Sequence, residues 1–178
     1  MKKIKVIILL AFCTIGLQAQ KYIQEDSKTT VDFKIKNLGF YVDCKFEKIN
    51  FEVSFDKNDL ANSYINAIIE VSSLDTDNET RNKSLAEEKY FNTAKHPNIT
   101  LKSSKIEYVD NNTYNVTGNL TIKGTTKKVI IPIQVTEKSN HLEITSDFTL
   151  NRLDYKVGKG SLILSKSVIA KVNYFGAK

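Results

Sequence analysis

The chain has 178 residues, of which 41% are hydrophobic and 26% charged, with a formal net charge of +6. That length supports one core of ordinary size. The basic excess is too diffuse for a nucleic-acid binder, which would gather it on one face, and two cysteines, Cys13 and Cys44, cannot form a disulfide framework.

The N-terminus reads as a secretory signal peptide over residues 1–19. Lys2, Lys3 and Lys5 give a basic start, Ile4 to Leu17 is almost wholly apolar, and Leu17-Gln18-Ala19 offers a small-residue cleavage site. The apolar run is too short for a stable anchor. Cys13 follows the bulky Phe12 inside that run, which argues against lipid attachment. Cleavage leaves one domain over residues 20–178 with no transmembrane anchor, lowers the charge from +6 to +3, and retains only Cys44. A periplasmic or secreted protein is expected. Cys44 falls on an apolar strand face, where a thiol acts as a small hydrophobe.

The mature chain alternates with a period of two, the mark of strands with one buried and one wet face. Val31, Phe33 and Ile35 open the series, and Leu38-Gly39-Phe40 interrupts it. Val42, Cys44 and Phe46 follow, and the phase then shifts to Ile49, Phe51, Val53 and Phe55. One extra residue at that point reads as a β-bulge, a device that bends a long strand. Ile65 to Val71 forms the next strand. Beyond the following insertion come Ile99 to Ser103, Tyr114 to Ile122, Val129 to Val135, Leu142 to Phe148 and Val168 to Tyr174. The links at Asp110-Asn111-Asn112 and Lys123-Gly124-Thr125-Thr126 are tight turns. Pro132 cannot donate to a ladder and marks an edge or a bulge. Eight strands with short polar links satisfy either a sandwich or a closed barrel; the long bent strand favours the barrel, because closure demands coiling and removes edges.

Residues 74–103 break the alternation and carry the one helical stretch. Thr76 and Glu79 match a capping box. Arg81, Leu85 and Lys89 share a face, and Pro97 prevents continuation. Arg81 and Arg152 are the only arginines against 24 lysines.

No catalytic set emerges. His96 and His141 are 45 positions apart without metal-ligand spacing, and no nucleophile elbow, phosphate loop or dinucleotide fingerprint is present. Neither a metal nor a cofactor is expected. What remains is apolar surface, and an eight-stranded barrel can be filled by side chains or can hold one elongated ligand. Small inward residues at Ala67, Gly118, Ser146 and Ala170 leave room or accommodate large neighbours. A filled interaction module and, less readily, an enzyme are the alternatives to a binding protein. The arginines could grip an anionic head group, but Asp75, Asp77 and Asp154 nearby favour structural ion pairs. Asp77 and Glu79 would also repel a phosphate from the helix start.

Four ordered segments resemble the YceI-like family. They are Val31 to Phe40; Leu74-Asp75-Thr76 with Asn78, Arg81, Leu85, Phe91, Pro97 and Ile99; Val116 to Lys127, reading Val-Thr-Gly-Asn-Leu-Thr-Ile-Lys-Gly-Thr-Thr-Lys; and Leu150 to Tyr155. The resemblance implies an all-β, extended antiparallel eight-stranded lipocalin-like barrel with one inserted helix. It also implies an exported binder of a long-chain isoprenoid or fatty amphiphile, and family members can form homodimers. Phe33, Ile35, Leu38, Phe40, Phe46, Ile69, Leu85, Phe91, Leu101, Leu120, Ile122 and Phe148 would then line the ligand site, with Arg81, Arg152 and Asp154 polar at the mouth. The chain departs from the family pattern at Asn37, Lys83-Ser84 and Lys156, where histidine, a polar residue followed by histidine, and glycine are more usual.

Overall fold

Alternating apolar residues place one face of every long strand inward, and the ladder curls until its ends meet. The structure, a computed structural model, describes residues 21–178; the expected leader lies outside the described residues. In chain order the elements are β1 (Lys21–Gln24), β2 (Thr30–Asn37), β3 (Phe40–Phe46), β4 (Ile49–Ser54), β5 (Tyr64–Glu70), β6 (Leu74–Asp75), α1 (Glu79–Ala86), β7 (Asn98–Asp110), β8 (Thr113–Ile122), β9 (Thr125–Glu137), β10 (His141–Asn151) and β11 (Leu164–Ala177). All pairings are antiparallel. β2 pairs with β3, and β4 with β5; the ladder then continues through β7, β8, β9, β10 and β11, which returns to β2. With β3 and β4 counted as one bent strand, this is the expected closed eight-stranded barrel.

The extra residue after Phe46, read in the sequence as a bulge, is a wider break in which the strand exchanges partners. β3 ends against β2 and β6, whereas β4 pairs with β5 and with β1. Ser73 satisfies the backbone at the bend: its carbonyl accepts from the Glu47 N–H and its hydroxyl from the Lys48 N–H. β1 closes the seam between β4 and β11. Pro132 falls where a ladder stops. β9 pairs with β8 from Thr125 to Gln134 but with β10 only from Gln134 to Glu137, and the Ser146 hydroxyl donates instead to the Pro132 carbonyl at 2.6 Å.

One end of the barrel is a packed plug. Tyr22, Val53, Phe55, Tyr114, Leu142 and Tyr174 meet there, with the Phe55 and Tyr114 rings edge to face at 5.1 Å. The β2–β3 turn, the helical insertion, the β8–β9 turn and the β10–β11 connection gather at the other end. Gly118, expected either to leave interior room or to accommodate a large neighbour, instead lets two backbones approach. A Cβ there would stand 2.7 Å from the Lys102 carbonyl, beside the irregularity at Ser103–Lys105.

Leu142 is fully buried in the plug, whereas Phe148 is only partly buried. We expect Leu142→Ala to cost about 2–5 kcal/mol and Phe148→Ala about half of that or less, since its ring borders open space. Urea denaturation of the two variants measures the difference.

Candidate functional site

Between the plug and the opposite end lies a cavity of about 880 Å³. Of the twelve apolar positions named from the sequence, ten border it: Phe33, Ile35, Phe46, Ile69, Leu101, Leu120, Ile122 and Phe148 from the wall, and Leu85 and Phe91 from the lid. Ala67, Ser146 and Ala170 also face it, and their small side chains are part of why space remains. The two exceptions are Leu38 and Phe40, which are 66% and 78% exposed. Phe40 shares the parity of Cys44 and Phe46 but sits at the hairpin tip, beyond the last inward layer. Leu38 occupies the turn itself. The cavity wall also takes Leu164 from the start of β11 and Val157 and Ile163 from the β10–β11 connection, where no period betrays an irregular loop in the sequence.

The lid is fixed chiefly by polar contacts. Helix α1 has no buried residue, and its cap is Asn78, whose Oδ1 accepts from the Arg81 N–H at 2.9 Å. The capping box expected at Thr76 and Glu79 therefore does not form. Thr76 is claimed elsewhere: its hydroxyl donates to Asn82 Oδ1 at 2.6 Å and accepts from Arg81 Nε at 2.9 Å. The Thr76 carbonyl accepts from Arg81 Nη2 at 2.8 Å. Asp75, expected with Asp77 as a possible partner of Arg81, instead accepts from Asn82 and pairs with Lys45 at 3.2 Å. The Asn82 amide, the Asp77 backbone N–H and Lys45, in that order, hold the Asp75 carboxyl below its ordinary range. Arg81 borders the cavity and makes no ion pair with a carboxylate among the described residues.

Arg152 likewise departs from the expected pairing with Asp154. It is buried and spends its donors on backbone carbonyls: Nε on Ser165 (2.8 Å), Nη1 on Val157 (2.7 Å), and Nη2 on Lys159 (2.9 Å) and Leu164 (3.3 Å). Asp154 does not line the cavity and accepts from Asn151 Nδ2 at 3.0 Å. A turn of Arg152–Tyr155 needs this anchor because the segment after it has no ladder to satisfy its carbonyls. Lys156 stands at φ 58°, a left-handed geometry that glycine adopts more easily than lysine. Lys123 joins three segments, its ammonium donating to the carbonyls of Glu88 (2.7 Å), Lys156 (2.9 Å) and Lys89 (3.3 Å). Desolvation lowers its pKa.

His96 lies over the Lys123–Gly124 turn at the mouth, and His141 stacks on Phe175 by the plug. The two histidines therefore stand at opposite ends of the barrel. Cys44 faces the cavity, and burial pushes its thiol up to about 11, with Arg81 pulling weakly the other way.

Residues 22–173 match the YceI-like domain. The chain belongs to the YceI-like family. Its relatives include a UPF0312 protein of Vibrio parahaemolyticus, 28% identical over 71% of this chain and 68% of the relative, and one of Pectobacterium atrosepticum, 32% identical over 68% and 64%. The match thus spans about two thirds of each relative's length. Among solved structures, Burkholderia cenocepacia BcnA superposes with a TM-score of 0.82 at 27% identity, covering 85% of this chain and 98% of BcnA. A polyisoprenoid-binding domain from Saccharophagus degradans gives 0.71 at 14% identity over 88% and 97%, a likeness of fold.

Arg152→Lys retains charge but cannot reach four carbonyls, so we expect a loss of about 2–4 kcal/mol in thermal or urea unfolding. Cys44 and Tyr174, the latter raised by burial to about 12, hold their protons more tightly folded than unfolded. The stability they lend is complete below the ordinary thiol range and is lost as pH rises. The urea midpoint should therefore be flat from about pH 7 to 8 and should fall by about pH 10–11.

Proposed function

We propose that this protein is an exported, non-enzymatic carrier that holds a long-chain isoprenoid or similar amphiphile, tail inward, in the barrel cavity. The observation that carries the reading is the cavity itself, about 880 Å³ and walled mainly by aliphatic and aromatic side chains between a plug and a lid. Pockets of this size accept elongated ligands. The fold shared with the Saccharophagus degradans polyisoprenoid-binding domain supports the same reading. Burial of roughly 20 tail methylenes contributes a gross term near 16 kcal/mol at about 0.8 kcal/mol each. Lost ligand freedom offsets much of it. Affinity resides in the tail, and the mouth polar groups select the head.

Solvent extraction of protein from its native host, followed by mass spectrometry, should recover an isoprenoid or long-chain lipid at near-stoichiometric yield. Repeated recovery of none, with no uptake of long-chain isoprenoids by the purified protein, would sink the proposal. Ala67→Trp places an indole in the cavity and should weaken uptake about tenfold or more while the protein still unfolds cooperatively. Occupancy should also slow alkylation of Cys44 by a small thiol reagent, because the thiol shares the cavity wall.

A further inference from the structure

Two segments meet at one side of the mouth. The β2–β3 hairpin and the β10–β11 connection run side by side, with the Leu38 N–H donating to the Ile163 carbonyl at 2.9 Å and Asn37 paired with Leu164. Their tips carry Leu38, Phe40, Leu162 and Ile163; Leu162 is fully exposed and Ile163 is 55% exposed. Single exposed apolar residues are ordinary, but a contiguous set at a cavity rim is a surface that has something to bind.

The backbone sharpens the point. The two-residue turn holds Leu38 at φ 52° and Gly39 at φ 87°. A right-twisting hairpin requires positive φ at both places, and asparagine or aspartate normally precedes the glycine. Leucine is an unfavourable choice for that geometry and an unfavourable choice for water. Folding does not account for it, since its side chain joins neither core.

Charge narrows the occupant. Residues 34–41 and 156–166 together contain five lysines (34, 36, 156, 159 and 166) and no aspartate or glutamate. The Lys34 and Lys36 ammonium groups lie 5.1 and 5.0 Å from the Tyr41 ring centre, on the flank of the same hairpin. The first acidic residue down that hairpin is Asp43, across from Lys34. The helical arc of the mouth differs, because Glu79, Glu87 and Glu88 there balance Arg81, Lys83 and Lys89. Apolar tips with lysines set back from them are the pattern of a surface that dips into an interface while its cations meet anionic head groups.

We propose that this arc docks the mouth on an anionic phospholipid bilayer, so that an amphiphile passes between membrane and cavity without crossing water. The inference rests on the carrier reading above. Ile163 and Leu164 connect the two surfaces, since both also border the cavity.

The test uses vesicles of phosphatidylcholine alone and of phosphatidylcholine with phosphatidylglycerol, in flotation assays with the full mature chain. We expect binding about tenfold or more tighter to the anionic vesicles, weakened in about 0.5 M salt. The combined variant Leu38→Ser, Phe40→Ser and Leu162→Ser, none of which lines the cavity, should lose vesicle binding while taking up an isoprenoid from detergent solution as the parent does. Parent protein that takes up isoprenoid yet ignores both vesicles overturns docking and leaves the carrier reading standing. Failure of uptake in detergent strikes the carrier reading itself. Sedimentation analysis showing that the same three residues hold a dimer, with no vesicle binding by the parent, would assign the patch to a second copy of the chain and overturn the proposal.

Discussion

Backbone carbonyls at the mouth must find donors, and the architecture above the plug follows from how they do. Residues 156–163 cross the open end of a barrel without a ladder, so their carbonyls would be desolvated without partners. Arg152 supplies donors for Val157, Lys159, Leu164 and Ser165, and Lys123 supplies one ammonium for Glu88, Lys89 and Lys156. Charged donors make stronger hydrogen bonds than neutral ones, and a buried guanidinium stripped of water is tolerable only when its donors are used. Each need answers the other. The mouth thereby gains a defined shape without filling the space beneath it.

The hollow below is a consequence of where bulk was placed. The plug concentrates Tyr22, Phe55, Tyr114 and Tyr174 with branched aliphatics, and its rings meet edge to face. Nearer the mouth, Ala67, Ser146 and Ala170 stand in wall positions, where larger side chains would have met across the lumen. The aromatic cluster supplies the folding stability that the hollow half forgoes. Gly118 serves a different end, admitting the Lys102 carbonyl where β7 shifts register; small size in the sequence does not by itself mean space.

Periodicity made the barrel legible because alternation is a backbone property that tertiary context rarely overrides here. From Val31 to Phe46, and again from Tyr114 to Ile144, nearly every inward position follows from it. Alternation fails at the ends of strands. Phe40 has inward parity but no layer to enter, and the sequence does not say where the barrel stops. Short-range chemistry misled in a related way. Thr76 precedes Glu79 by the right interval for a capping box, yet Asn78 is the better cap and Thr76 is needed by Arg81 and Asn82. Arg152 stands two residues from Asp154, but the carbonyls that claim it lie up to 13 residues onward. Local acidic neighbours could not reveal that demand.

The two halves also differ in how they could open. Releasing the plug exposes a continuous apolar cluster and amounts to unfolding. Moving α1 exposes little, because the helix buries no residue of its own and is held through Asn78, Thr76 and Asn82. Segments with few apolar contacts and solvent-near hydrogen bonds open at a fraction of the global free energy. Leu85 and Phe91 are the lid's apolar attachments to the cavity, and on the proposed carrier reading an incoming chain replaces contacts they lose. A rigid end and a polar-hinged end in one barrel therefore separate the requirement for stability from the requirement for access.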